Sequence, residues 1–149
     1  MVVELENIPD FIKSVTGSMK IELSGLMSMN ARINEPGSSY KDVLGWDILR
    51  RFEGKCYEFY VAQYPSIGMT RPVEVPCPLG IQPFDSYNVS FQEALEKLNG
   101  MDCGDKFVAL SLYWPLTPEC KEPYWYIRTN LGTQVSVGAN SGTAQCHKA

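Results

Sequence analysis

Residues 90 to 100, Ser-Phe-Gln-Glu-Ala-Leu-Glu-Lys-Leu-Asn-Gly, constrain the fold of this chain more than any other stretch. Ser90 precedes an apolar run, and Glu93 stands three residues on. That is the spacing of a capping box, in which serine and glutamate each satisfy the other's backbone N–H. Phe91, Ala94, Leu95 and Leu98 recur at i, i+3, i+4 and i+7, so one face of the helix is apolar. Gly100 can take the left-handed conformation that ends a helix. A helix of about ten residues is marginal alone, so its apolar face must pack on another element.

The residues that follow supply that element. Residues 107 to 114 alternate Val108, Leu110, Leu112 and Trp114 with Phe107, Ala109, Ser111 and Tyr113. Residues 124 to 129 set Tyr124, Tyr126 and Arg128 opposite Trp125, Ile127 and Thr129, and Gln134 and Ser136 alternate with Val135 and Val137. These are period-2 runs of strand-forming residues. Asn130-Leu131-Gly132 provides a tight turn, and Pro115, Pro118 and Pro123 a longer connection. Residues 143 to 146 add a short last strand. The expected class is α+β: a helix packed on an antiparallel sheet.

The first half is less regular. Ile8, Phe11, Ile12 and Val15 have helical spacing, and residues 19 to 33 read as extended with a bend at Gly25. Residues 46 to 52 and 55 to 64 flank Glu53-Gly54 as a hairpin, with Trp46, Ile48 and Phe52 on one side and Tyr57, Phe59 and Val61 on the next strand. A helix over residues 40 to 52 competes, but Gly45 weakens it. Pro65, Pro72, Pro76, Pro78 and Pro83 mark a connection with an irregular edge strand near residues 73 to 75. The chain thus divides into a β-rich half with a short helix (1–64), a proline-rich connection (65–87) and an α+β half (88–149). The order of elements suggests two related α-β-β-β halves.

With 149 residues the chain is one domain, or two small halves sharing a core. Its net charge of −4 disfavours nucleic acid and anionic membranes. Arg50-Arg51, the only basic doublet, reads as a solvated strand edge. No apolar run is long enough for a transmembrane helix, and residues 1 to 9 lack the basic start of a signal peptide. Cys56, Cys77, Cys103, Cys120 and Cys146 form no CxxC pair, which leaves two disulfides plus one thiol or five free thiols. Asn88-Val89-Ser90 matches a glycosylation sequon, though Ser90 is better used as a cap.

No residue set supports catalysis. His147, the only histidine, is the third residue from the end and reads as a frayed tail. Glu119/Glu122 and Asp102/Asp105 are loop carboxylates without calcium-loop spacing. Walker, GxGxxG and GxSxG motifs are absent from the sequence. No enzyme activity, cofactor or metal is expected. The aromatic group Tyr113, Trp114, Tyr124, Trp125 and Tyr126 comes from two adjacent strands. Tyr113, Tyr124, Trp125 and Tyr126 are the candidate partner-binding residues, for a protein first and a small molecule or glycan second.

Ser90-Phe91-Gln92-Glu93-Ala94-Leu95, the strand at residues 107 to 113, Tyr124-Trp125-Tyr126-Ile127 and Gly138-Ala139-Asn140-Ser141-Gly142 together resemble a PepSY domain. Asn140 and Ser141-Gly142 stand near that family's last turn without its Asp or Thr. The resemblance covers about sixty residues. It implies a non-enzymatic, extracytoplasmic or secreted module, inhibitory in some relatives. Cystatin-like architecture is of the same kind, and fold alone does not carry activity.

Overall fold

The computed structural model describes residues 24–62 and 68–147. The helix expected at residues 8 to 15 and the first part of the extended run lie outside them. The described strands are β1 (Leu26–Ile33), β2 (Val43–Phe52), β3 (Lys55–Ala62), β4 (Val73–Val75), β5 (Ile81–Gln82), β6 (Phe107–Pro115), β7 (Tyr124–Thr129), β8 (Gln134–Gly138) and β9 (Ala144–His147). The helix α1 (Phe91–Asn99) lies between β5 and β6. The order across the sheet is β4-β3-β2-β1-β6-β7-β8-β9, antiparallel at every pair, with β5 alongside the end of β6. The described chain is therefore mostly antiparallel sheet with one α-helix, broadly α+β.

Local chemistry accounts for the elements. At Ser90 the hydroxyl accepts the Glu93 N–H at 3.2 Å, and the Glu93 carboxylate accepts the Ser90 N–H at 3.1 Å. Such a cap stabilises a helix by about 1 kcal/mol. Residues 40 to 52 resolve as a short 3-10 turn, Tyr40–Asp42, followed by β2. Glu53 and Gly54 have φ of 51° and 79°, the left-handed values of the two-residue turn that joins β2 to β3.

One face of the sheet carries the main core. Phe91, Ala94, Leu95 and Leu98 of α1 are buried in the same cluster as Trp46, Ile48, Phe59, Leu110, Leu112, Ile127, Val135 and Val137. The Trp46 and Phe91 rings meet edge to face at 5.1 Å, and Trp46 and Trp125 lie 5.9 Å apart. Residues from both sides of the proline-rich connection share this core. On the other face, Met27, Leu49 and Cys56 form a small cluster under Val75, Cys77 and Ile81. Two disulfides close the fold, Cys56–Cys77 and Cys103–Cys146, and Cys120 remains a free thiol.

Three expectations change. Phe107 is buried in the core rather than opposite Leu110, because a register shift between Phe107 and Ala109 turns it over. Arg50 is only 3% exposed, not a solvated edge. Its Nε donates to the Ser24 carbonyl at 2.8 Å and its guanidinium lies over the Phe52 ring at 5.2 Å. His147 sits within β9, paired with Gln134, rather than in a frayed tail.

Candidate functional site

Alternation along β6 and β7 sorts the aromatic residues. Leu110 and Leu112 on β6, with Trp125 and Ile127 on β7, face the core. Tyr113, Tyr124 and Tyr126 occupy the opposite face and remain partly exposed. Tyr113 pairs across the ladder with Tyr124, and Tyr126 with Ser111 on one side and Ser136 on the other. The Tyr113 and Tyr126 rings stack at 4.7 Å with 25° between their planes, and Tyr124 tilts against Tyr126 at 6.1 Å. The three rings form one row, with Ser111, Ser136 and Gly138 as small cross-strand neighbours.

Trp125 leaves the candidate set. It has 0% exposure, its indole N–H donates to the Val89 carbonyl at 2.8 Å, and its ring packs against Trp46 and Tyr87. A side chain with no accessible surface cannot touch a partner. Trp114 also faces inward, toward Phe84, with its indole N–H on the Cys120 carbonyl at 2.9 Å. That bond fixes the loop carrying Cys120 beside the tyrosines.

The same face continues over β1 to β3 with polar groups that aromatic clustering did not single out. Ser111 donates to the Asn30 side chain at 2.7 Å. Arg32 makes two hydrogen bonds to Asp47, at 3.0 and 2.9 Å, and lies 4.2 Å over the Tyr60 ring. Tyr60 in turn crosses Gly45, where a Cβ would run into its ring, and its hydroxyl donates to the Leu44 carbonyl at 3.2 Å. The available signal was alternation: Asn30 and Arg32 fall opposite Met29, Ala31 and Ile33.

Electrostatics keeps the tyrosines protonated. Burial, followed by the neighbouring Cys120, raises the Tyr113 pKa. Burial also raises that of Tyr126, helped by Tyr113 and Cys120, and that of Tyr124, helped by Glu122. All three phenols stay neutral near pH 7 and serve as hydrogen-bonding groups. His147 Nε2 lies 3.0 Å from the Ser136 hydroxyl. Among the described residues no carboxylate orients its ring, and no group of three His, Cys, Asp or Glu is placed to hold a metal ion.

Glu122 has a structural task at the rim of this face. Its carboxylate accepts the N–H groups of Asn140 and Ser141 at 2.8 and 2.7 Å and the Ser141 hydroxyl at 2.8 Å. Partial burial pushes its pKa up, but these three bonds together outweigh that and hold it below the ordinary value. A depressed carboxylate contributes stability at neutral pH that is lost as pH falls through its folded-state pKa. Asp42, depressed by the Ser38 and Ser39 N–H groups, adds to the same acid window. Thermal unfolding followed from pH 6 to pH 3 should therefore show a falling midpoint below about pH 4.3, the ordinary glutamate value. Glu122→Gln should make that fall shallower, and equal slopes would remove Glu122 from the account.

No family model, curated protein or solved structure matches this chain. The functional reading therefore rests on the face itself.

Proposed function

We propose that this chain is a non-catalytic protein-binding module of PepSY-like type, which meets its partner through Tyr113, Tyr124 and Tyr126. The observation that carries the reading is the stacking of the Tyr113 and Tyr126 rings. Rings standing against one another occupy their own faces and present edges and hydroxyls. A sugar ring needs an open aromatic face to lie on, whereas a protein surface accepts rigid, hydroxyl-tipped aromatic edges. Tyrosine is also among the residues that dominate binding energy at protein interfaces. The two disulfides fit an oxidising, extracytoplasmic setting. The sheet order fits a chain of two related halves, one meander from β1 to β4 and another from β6 to β9.

The test compares the parent protein with the Tyr113→Ala/Tyr124→Ala variant. Partners are captured from native extract and quantified by stoichiometry, with a glycan array run in parallel. A stoichiometric protein partner should bind the variant at least about tenfold more weakly, the effect of losing interface hot spots. The unfolding midpoint should move little, because aromatic pairs contribute about 0.5–1.5 kcal/mol. Undiminished capture by the variant would overturn the assignment. Glycan binding lost in the variant would favour the carbohydrate alternative.

A further inference from the structure

Leu79 is 97% exposed, more than any other large apolar residue described. It does not dangle. Cys77, two residues before it, is bonded to Cys56 on β3. Ile81, two residues after it, pairs with Pro115, and the Gly80 carbonyl accepts the Leu116 N–H at 2.8 Å. Val75, Cys77 and Ile81 pack together on the small cluster of Met27, Leu49 and Cys56. The base of this loop is thus part of the packed sheet, and the tip, Pro78-Leu79-Gly80, projects from it. Pro78 fixes its own φ and removes further freedom.

A single apolar side chain held at a rigid tip, with its two flanks anchored separately, is what a substrate-like protease inhibitor requires. We propose that the loop centred on Leu79 inhibits serine proteases whose primary specificity pocket is an apolar slot, with Leu79 in that pocket and Leu79–Gly80 as the bond attacked. The protease serine oxygen would bond to the Leu79 carbonyl carbon as the amide to Gly80 breaks. The freed Gly80 amine takes its proton from the protease histidine. In an ordinary substrate the amine then diffuses away. Here the disulfide at Cys77 holds the acyl side and the β5–β6 pairing holds the amine side, so Gly80 stays beside the ester. Its return attack rebuilds the amide and restores the serine hydroxyl. Preorganised flanks also reduce the ordering cost of binding. Gly80 has φ of +90°, a conformation open to glycine, and its carbonyl is held by the Leu116 N–H, so the amine side of the bond stays fixed on the loop. This loop is separate from the tyrosine patch, and the inference does not depend on it.

The oxidised full chain should be titrated against chymotrypsin, which has an apolar pocket, and against trypsin, which has an acidic one. Stoichiometric inhibition of chymotrypsin alone is expected. Leu79→Gly should weaken it at least about 100-fold, as for a central interface anchor, and Leu79→Arg should transfer inhibition to trypsin. Cys56→Ala/Cys77→Ala should turn the inhibitor into a substrate cut between Leu79 and Gly80. Tyr113→Ala/Tyr124→Ala should inhibit as well as the parent, so that failure here and failure of the tyrosine patch are told apart. Absence of inhibition, inhibition that survives Leu79→Gly, or rapid cleavage of the parent at Leu79–Gly80 would each overturn the proposal.

Discussion

Replacing Cys103 and Cys146 together by alanine should lower the unfolding free energy by about 4 kcal/mol, the chain-entropy value for a loop of this length. The two residues are 43 apart in sequence, so the bridge closes a long loop containing β6, β7 and β8. It ties the turn after α1 to β9, a four-residue strand paired, among the described residues, only with β8. Without it, β9 has little to resist fraying. The shorter Cys56–Cys77 loop, 21 residues, should be worth about 3 kcal/mol on the same reasoning. Urea unfolding of each double variant measures both terms. A loss below about 1 kcal/mol for Cys103/Cys146 would mean that the unfolded chain gains nothing from release of the bridge.

Trp125→Ala should cost about 3–5 kcal/mol, the range for deleting a large buried aromatic. The site combines three contributions: ring contacts to Trp46 and Tyr87, complete burial, and the indole hydrogen bond to Val89. Trp125→Phe separates them, because it keeps most of the apolar volume and deletes the N–H donor. It should cost about 1–3 kcal/mol, chiefly from a buried carbonyl left without that donor. Equal losses for the two variants would show that the hydrogen bond outweighs the packing. A Trp125→Ala protein that unfolds like its parent would return this residue to the surface.

What the sequence discloses here follows from how local each determinant is. The helix at Phe91–Asn99 is readable because its cap and its apolar spacing lie between Ser90 and Leu98, although Gly100 ends it with φ of −88° rather than in the left-handed conformation its type suggests. The β7 faces are readable because strict alternation separates Trp125 and Ile127 from Tyr124 and Tyr126. Trp125 entered the candidate site only through its aromatic neighbours, against that alternation. Phe107 escapes because a bulge reverses its face, and a bulge is a property of the strand pair. Arg50 escapes because its burial depends on Ser24 and Phe52 receiving the guanidinium, which no local pattern encodes. The polar half of the open face, Arg32, Asp47 and Tyr60, comes from three strands whose order only the assembled sheet defines. The prominence of Leu79 has the same origin, since the pairing of Cys56 with Cys77 and of Ile81 with Pro115 fixes where the tip stands.

The seam between β1 and β6 has a kinetic consequence. Only three residue pairs join the two strands, Ser28 with Tyr113, Met29 with Leu112 and Asn30 with Ser111, and the last pair is 81 residues apart. Within each meander the paired strands are neighbours in sequence, so their contacts are local compared with the seam. Bringing the two together requires a long loop to close before any seam contact offsets the entropy. Folding should therefore be slow for a chain of this size, in the millisecond-to-second range of sheet-dominated topologies. Conservative truncations at Met29 or Leu112 should then accelerate unfolding while leaving the folding rate nearly unchanged, the signature of contacts made after the transition state.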